Sequence, residues 1–236
     1  MSKPPLLEIT KFAAPLRQQV ESAIRQAIVD GRFRPGQRIT ERELTTTLGV
    51  SRTLVREALR QLESEGLISV IPNRGAVVRE LSAEEIEDLY AIRAVLEGLA
   101  ARTFAEKASA ESLRILGEAQ AEAVAAYKSD DAERALQAKN RFYELLVEGA
   151  GSASLSAMLV SLHSRFRQWR AIGMTHPQRS SERSKEAVDG LKAIWSAISS
   201  RDAAGAEAAT RDEARRGAAE LMRLLSELPE KIAAHS

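Results

Sequence analysis

A mainly α chain in two parts is the fold class that three observations in the sequence predict. Apolar residues recur at helical spacing through most of the 236 residues. A single β-branched, apolar stretch, broken by Pro72-Asn73-Arg74-Gly75, interrupts that pattern. From residue 83 onward the chain is alanine-rich and carries no strand signal. The expected architecture is three helices plus a β-hairpin over residues 12–80, then an all-helical bundle of six or seven helices over 83–228. A flexible N-terminal arm (1–11) and a C-terminal tail (229–236) flank them.

In the first part, Leu16, Val20, Ile24, Ala27 and Ile28 form one face of a helix that ends at Gly31. Thr40 followed by Glu43 is a capping-box pattern, so a second helix starts at Glu41 and buries Leu44 and Leu48. Gly49 permits the sharp turn before Val50. The third helix buries Leu54, Val55, Ala58, Leu59 and Leu62, and Gly66 stops it. Leu67–Ile71 and Ala76–Arg79 then read as two strands around the Pro72–Gly75 turn. Helices two and three, joined so closely, make a helix-turn-helix, and the hairpin makes it winged.

Arg52, Thr53, Arg56 and Arg60 fall on the side of the third helix opposite its apolar face, with Arg52 and Arg56 one turn apart. A major groove admits an α-helix, and arginine suits both guanine edges and phosphates. An arginine pair alone is an ordinary solvated surface. The ordered set of cap, turn, arginine face and basic wing tip is what points to DNA.

The segments PGQRITERELTTTLGVSRTLVREALRQLESEGLI and PNRGAVV resemble the winged-helix domain of the GntR family of bacterial transcription regulators, over roughly residues 12–80. That resemblance implies that Arg42 contacts the DNA backbone. It implies that Ser51, Arg52, Thr53 and Arg56 meet the operator from the recognition helix. It places Asn73, Arg74 and Gly75 at the wing tip, near the minor groove. Leu54 stands where such proteins often have proline; proline there mainly preorganises the helix start, so stability is affected more than specificity.

Charge is unevenly spread. Residues 1–82 hold thirteen Lys and Arg against nine Asp and Glu, an excess of four positive charges, whereas the remainder has an excess of three negative ones. The positive half is the expected phosphate-binding half, because cations displace the counterions of DNA. The absence of cysteine excludes disulfides and thiolate metal sites. No apolar run approaches a membrane span, and MSKPPLLEITKF lacks a signal-peptide core, so a cytoplasmic protein is expected.

Ser82 with Glu85 is a second capping box and marks the domain boundary. Helices are predicted near 83–107, 110–128, 131–149, 153–173, 182–200 and 203–227. AIRAVLEGLAAR, KNRFYELLVEGAG and LKAIWSAISSRDAAGAEAATRDEA resemble the FadR subgroup of that family, whose helical FCD-type domain binds an effector and dimerises. Many members of the subgroup hold a divalent metal with one aspartate and three histidines. Here the matching positions are Lys139, Tyr143, Leu191 and Glu213. Ammonium cannot coordinate a cation, leucine has no donor, and one carboxylate with a phenol is a poor zinc or nickel site. His163, His176 and His235 are scattered without ligand spacing. No metal or other cofactor is expected.

At about 100° per residue, Arg93 and Glu97 fall inside the apolar arc of their helix, and so do Lys139 and Tyr143. Charges rarely face a core unless paired or liganded. Two readings stay open. In one, Arg93 pairs with Glu97 and Lys139 with Glu213 as internal salt bridges. In the other, Arg93, Lys139 and Tyr143, with His163 and Glu213, receive a small anionic organic effector. His163 sits at the edge of the stripe Leu155, Met158, Leu159, Leu162 and Phe166, a boundary position with the cavity in reach. Trp169 and Trp195 have core spacing, and Arg165, Arg167 and Arg170 read as a solvated face. Phe142 and Leu145 fall off the inner arc and suggest a dimer surface.

The expectation is thus a homodimeric DNA-binding regulator of transcription that binds a pseudo-palindromic, double-stranded operator and responds to an effector. A regulator without ligand is the alternative. A metabolic enzyme lacks any histidine–carboxylate constellation, cysteine nucleophile or phosphate loop to support it.

Overall fold

The computed structural model describes residues 13–29, 32–129, 131–176 and 178–226, without the side chains of residues 13–15, 29, 164–168, 171, 172 and 175. The N-terminal arm, the helix end at Gly31, the tail with His235, and the side chains of Arg165, Phe166 and Arg167 lie outside the described residues. The chain divides into two compact units, Met1–Glu80 and Leu81–Ser236.

The first unit contains α1 (Ala13–Val29), β1 (Arg38–Ile39), α2 (Glu41–Leu48), α3 (Arg52–Ser64), β2 (Ile68–Ile71) and β3 (Gly75–Val78). The Thr40 hydroxyl accepts from the Glu43 amide at 3.2 Å and starts α2. Gly49, at φ 65°, ends it in the left-handed region that glycine enters without penalty. α3 closes in a Schellman motif: Leu67 N–H donates to Leu62 C=O and Gly66 N–H to Glu63 C=O, satisfying carbonyls that the helix end leaves unpaired. Val55, Ala58, Leu59 and Leu62 of α3 pack against Val20, Ile24 and Ile28 of α1 and the inner face of the sheet. Leu16 departs from the expected face and is 43% exposed, because the apolar face of α1 has its buried positions only from Val20 onward.

The sheet is three-stranded and antiparallel in the order β1-β3-β2. The hairpin was expected. The two-residue strand β1, pairing Arg38 with Val77 and Ile39 with Ala76, was not, since two residues are too few to show alternation.

The second unit consists of α4 (Ala83–Lys107), α5 (Ala110–Lys128), α6 (Ala132–Gly149), α7 (Ala153–Thr175), α8 (Ser181–Ser199) and α9 (Ala203–Ser226), and no strand occurs among its described residues. Both arms of the Ser82–Glu85 capping box form, at 3.1 and 3.0 Å. α4 packs chiefly on α9, α5 on α6, and α8 on α9. Two apolar cores result. One gathers Phe104, Phe142, Tyr143, Leu146, Leu191 and Ile194. The other gathers Ile86, Tyr90, Leu159, Leu162, Trp169 and Leu221. Gly149 makes room for the Phe104 ring, which a β-carbon would strike.

Phe142 corrects the sequence reading: it is fully buried, and Leu145 packs half-buried against the same core. α6 is covered by α4, α5 and α7 at once, so it buries a wider arc than a helix with one neighbour. Trp169 is buried and Trp195 packs against the core beside Gly117, as their spacing suggested.

Candidate nucleic-acid interface and buried cationic site

In the first unit, Arg52, Thr53, Arg56 and Arg60 are exposed along the outer face of α3. Ser51 begins the helix, its hydroxyl accepting from the Leu54 amide at 3.4 Å, so its side chain serves as a cap. Leu54 is half-buried in the first turn. Arg42 is exposed in the first turn of α2. Arg56 is not free: its Nε donates to both Glu41 oxygens, at 2.8 and 2.9 Å. Glu41 in turn lies in the first turn of α2, so one helix positions the arginine of the other. Together with Arg38, Arg60, Val70 and Gly75, this pair lines a groove of about 480 Å³ between α3 and the sheet. Arg38 was missed from the sequence because its strand was. At the wing tip, Arg74 N–H donates to Ile71 C=O at 3.1 Å and Asn73 takes φ 63°. Asparagine tolerates that left-handed position, which lets Asn73 and Arg74 project into solvent, with Gly75 at φ 81° behind them.

In the second unit, five helices bring charged groups into the seam between the two apolar cores. Arg93 Nε lies 2.9 Å from Glu97 Oε1, and Lys139 Nζ lies 2.6 Å from Glu213 Oε1. Both pairs of the internal salt-bridge reading form. His163 Nε2 contacts the same Glu97 oxygen at 2.7 Å, and Arg183 donates to Glu213 at 2.8 Å. Arg93 stacks over the rings of Tyr90 (5.3 Å) and Tyr143 (5.5 Å), and so spans both cores.

Arg170 overturns its reading as part of a solvated face. It is buried, donates to Asn140 Oδ1 at 2.7 Å, and lies 3.6 Å from Glu97. Both it and Arg183, which sequence reasoning passed over, were legible by the spacing used for Arg93. Arg183 precedes the buried Ala187, Gly190 and Leu191 by four, seven and eight residues, and Arg170 precedes the buried Met174 by four.

Electrostatics follow from burial. Burial alone would raise the Glu97 carboxyl, but Arg93, His163 and Arg170 outweigh it and hold the group below its ordinary range. Lys139 and Arg183 do the same for Glu213. The cations give way instead: burial, with Arg183 and Arg93 nearby, pushes Lys139 down to about 8 despite Glu213. Burial and Arg93 push Arg170 down to about 10. Burial also lowers His163, so its neutral ring donates Nε2–H to the Glu97 carboxylate. Tyr143 is raised by burial and stays a phenol.

These residues do not fit a metal. Lys139 places an ammonium against Glu213, Arg183 fills the same oxygen, and Leu191 offers no donor. Among the described residues no three His, Cys, Asp or Glu side chains cluster as ligands. Arg93, Lys139, Arg170, Arg179 and Arg183 instead line one small cavity of about 30 Å³, closed by Gly173, Gly217 and Leu221.

Comparison with known proteins agrees with both halves. The family model described as bacterial regulatory proteins, gntR family, matches residues 16–78, and that of the FCD domain matches residues 88–216. The HTH-type transcriptional regulator YdhC of Bacillus subtilis is 31% identical over 168 residues, 70% of this chain and 75% of that protein. An HTH-type regulator from the TAR-I ttuE-ttuC' intergenic region of Agrobacterium vitis is 38% identical over 128 residues, 53% of this chain and 75% of its own. Among solved structures, Escherichia coli McbR/YncC superposes with a TM-score of 0.77 at 23% identity, covering 88% of this chain and 97% of that one. A transcriptional regulator from Rhodococcus sp. RHA1 superposes at 0.74 with 24% identity, covering 91% and 100%. At these identities the structures speak to the fold.

Proposed function

The chain belongs to the gntR family of bacterial regulatory proteins and carries an FCD domain, and from that premise we propose a specific division of labour between its two units. It is a DNA-binding regulator of transcription, not an enzyme. In this reading α3 enters the major groove of a pseudo-palindromic operator, one copy per half-site of a homodimer. Arg52, Thr53 and Arg56 face base edges and phosphates there, Arg42 and the amide end at Ser51 hold the backbone, and Asn73, Arg74 and Gly75 approach the minor groove. The observation that carries it is the exposed basic face of α3 set beside a basic wing tip.

Dimerisation is assigned to the outer face of α4, where Ile92, Val95 and Leu99 are about half exposed at helical spacing. The effector is a small anion received by Arg93, Lys139 and Tyr143, with Glu213 and His163 holding the cations in place. Its binding changes operator affinity as a coupling free energy between two sites. The protein works where operator DNA is, in the cytoplasm. No described helix is long and apolar enough to cross a membrane.

A gel-shift titration tests the first half. Arg52→Ala should weaken operator binding by about 1–3 kcal/mol, roughly ten- to a hundred-fold, with the fold unchanged. Unaltered affinity would remove α3 from the interface. Calorimetry with organic acids tests the second, and a regulator whose operator affinity no acid alters is the ligand-independent alternative.

A further inference from the structure

We infer that Arg38 and Arg60 are a further pair of DNA contacts, which clamp the one sugar–phosphate strand that runs between the major groove read by α3 and the minor groove reached by the wing. This rests on the DNA reading above and adds to it two residues and the part of the duplex that they hold.

The two arginines line a groove of about 480 Å³ between the outer side of α3 and the sheet. Its walls carry Arg56 and Arg60 from α3, Arg38 from β1, and Val70 and Gly75 from the wing hairpin. The groove therefore separates the helix assigned to one groove of the duplex from the turn assigned to the next. In B-DNA a major groove and the adjacent minor groove share a wall, which is a single sugar–phosphate strand. A protein that reads both at once must let that strand pass between its two readers.

The chemistry of the groove suits such a strand. Three arginines line it with one carboxylate, Glu41, and Arg56 already holds that carboxylate at 2.8 Å. Arg38 and Arg60 remain: both are exposed, and neither side chain has an ion pair or hydrogen bond among the described residues. Arg17 and Arg25 of α1, by contrast, are paired with Glu21 and Glu65. Unpaired cations are what phosphates accept from. Val70, 52% exposed on β2, has no core to fill and offers an apolar surface to the sugars.

Spacing separates this task from base reading. Arg60 follows Arg52 by eight residues, about 12 Å along the helix axis, which matches the width of the major groove. With Arg52 in the first turn among the base edges, Arg60 is carried to the wall, where the phosphates are. Arg38 meets the same strand from β1, an edge strand held to β3 opposite Val77. Contacts of this kind fix register and affinity and carry no sequence information.

Fluorescence anisotropy of the full-length protein over a salt series tests the clamp on two duplexes, an operator selected from a random pool and a mixed-sequence duplex without it. Arg38→Ala and Arg60→Ala should each weaken binding to both duplexes by the same factor. Each should also shrink the slope of log affinity against log salt by about 0.9 for every protomer engaged. Arg52→Ala should instead weaken the operator more than the mixed duplex. Arg17→Ala, on the helix packed behind α3, should alter neither. Arg38 and Arg60 sit on different elements, so either variant suffices if the other does not fold. If Arg52→Ala weakens operator binding while Arg38→Ala and Arg60→Ala leave affinity and slope unchanged, the clamp falls and the DNA reading stands. If Arg52→Ala changes nothing either, the DNA reading itself falls. An equal loss of slope in Arg17→Ala would mean diffuse charge in place of a clamp, and a loss confined to the operator would make the pair base readers; either result overturns the inference.

Discussion

Arg56 meets the solvent with its guanidinium already oriented. Glu41 takes the Nε edge, which leaves the two terminal nitrogens turned outward as a fork. The ion pair is exposed to solvent and so contributes little to stability. Its consequence is for binding, because a carboxylate on a phosphate-facing surface repels DNA. Glu41→Gln should therefore raise nonspecific DNA affinity several-fold at low salt while loosening discrimination among operator variants. Fluorescence anisotropy over a salt series would show it, and an unchanged affinity would mean that Glu41 stays clear of the DNA. The buried carboxylates act oppositely, on stability. Glu97 and Glu213 are both held below the ordinary value of 4.5, and a carboxyl depressed in the fold contributes stability present above its unfolded pKa and lost as pH falls through the folded one. The melting temperature should hold from neutral pH down to about 5 and drop as the pH falls further. Lys139 has the same sign in a different window: with its folded value near 8 against 10.5, the unfolded chain binds more protons there, so its contribution to stability rises from pH 8 upward. A melting curve level from pH 6 to 3 would contradict the carboxylate assignment.

At the scale of elements, the helices were the easiest part to foresee. α4 and α5 match their predicted limits, and α6 to α9 differ by one or two residues, because Ser82, Ser109, Asp131, Ser152, Ser180 and Asp202 mark each start by accepting from the backbone of the first turn. What periodicity could not supply was how many neighbours each helix has. That number decided Phe142, which three neighbouring helices cover. The candidate site was half legible for the same reason. Pairing of Arg93 with Glu97 follows from one helix, while convergence of Lys139, Arg183 and Glu213 needs three. Gly190 shows how tight that convergence is: a β-carbon there would lie 2.8 Å from Glu213 Oε2. Gly190→Ala should cost about 1–3 kcal/mol by displacing the carboxylate from its cations. Denaturant melts would measure it, and a neutral result would mean that Glu213 has room to move.

For the whole molecule, the proposed reading of a two-fold operator needs a second copy, and Ile92, Val95 and Leu99 of α4 are the surface proposed to meet it. Val95→Asp would place a charge amid Ile92 and Leu99. It should convert the dimer to a monomer by sedimentation velocity at micromolar concentration and lower operator affinity with the half-site contacts intact. A variant that stays dimeric would move the interface elsewhere.

The seam of charge between the two apolar cores also bears on how long the protein survives in a cell. The effector proposed for it would bind the native state alone, and at a hundred times its dissociation constant would stabilise that state by about 2.7 kcal/mol. Proteases act on whatever fraction of molecules is open. The empty regulator would be degraded faster than the filled one, so its abundance, and not only its grip on DNA, would keep a record of how much effector the cell contains.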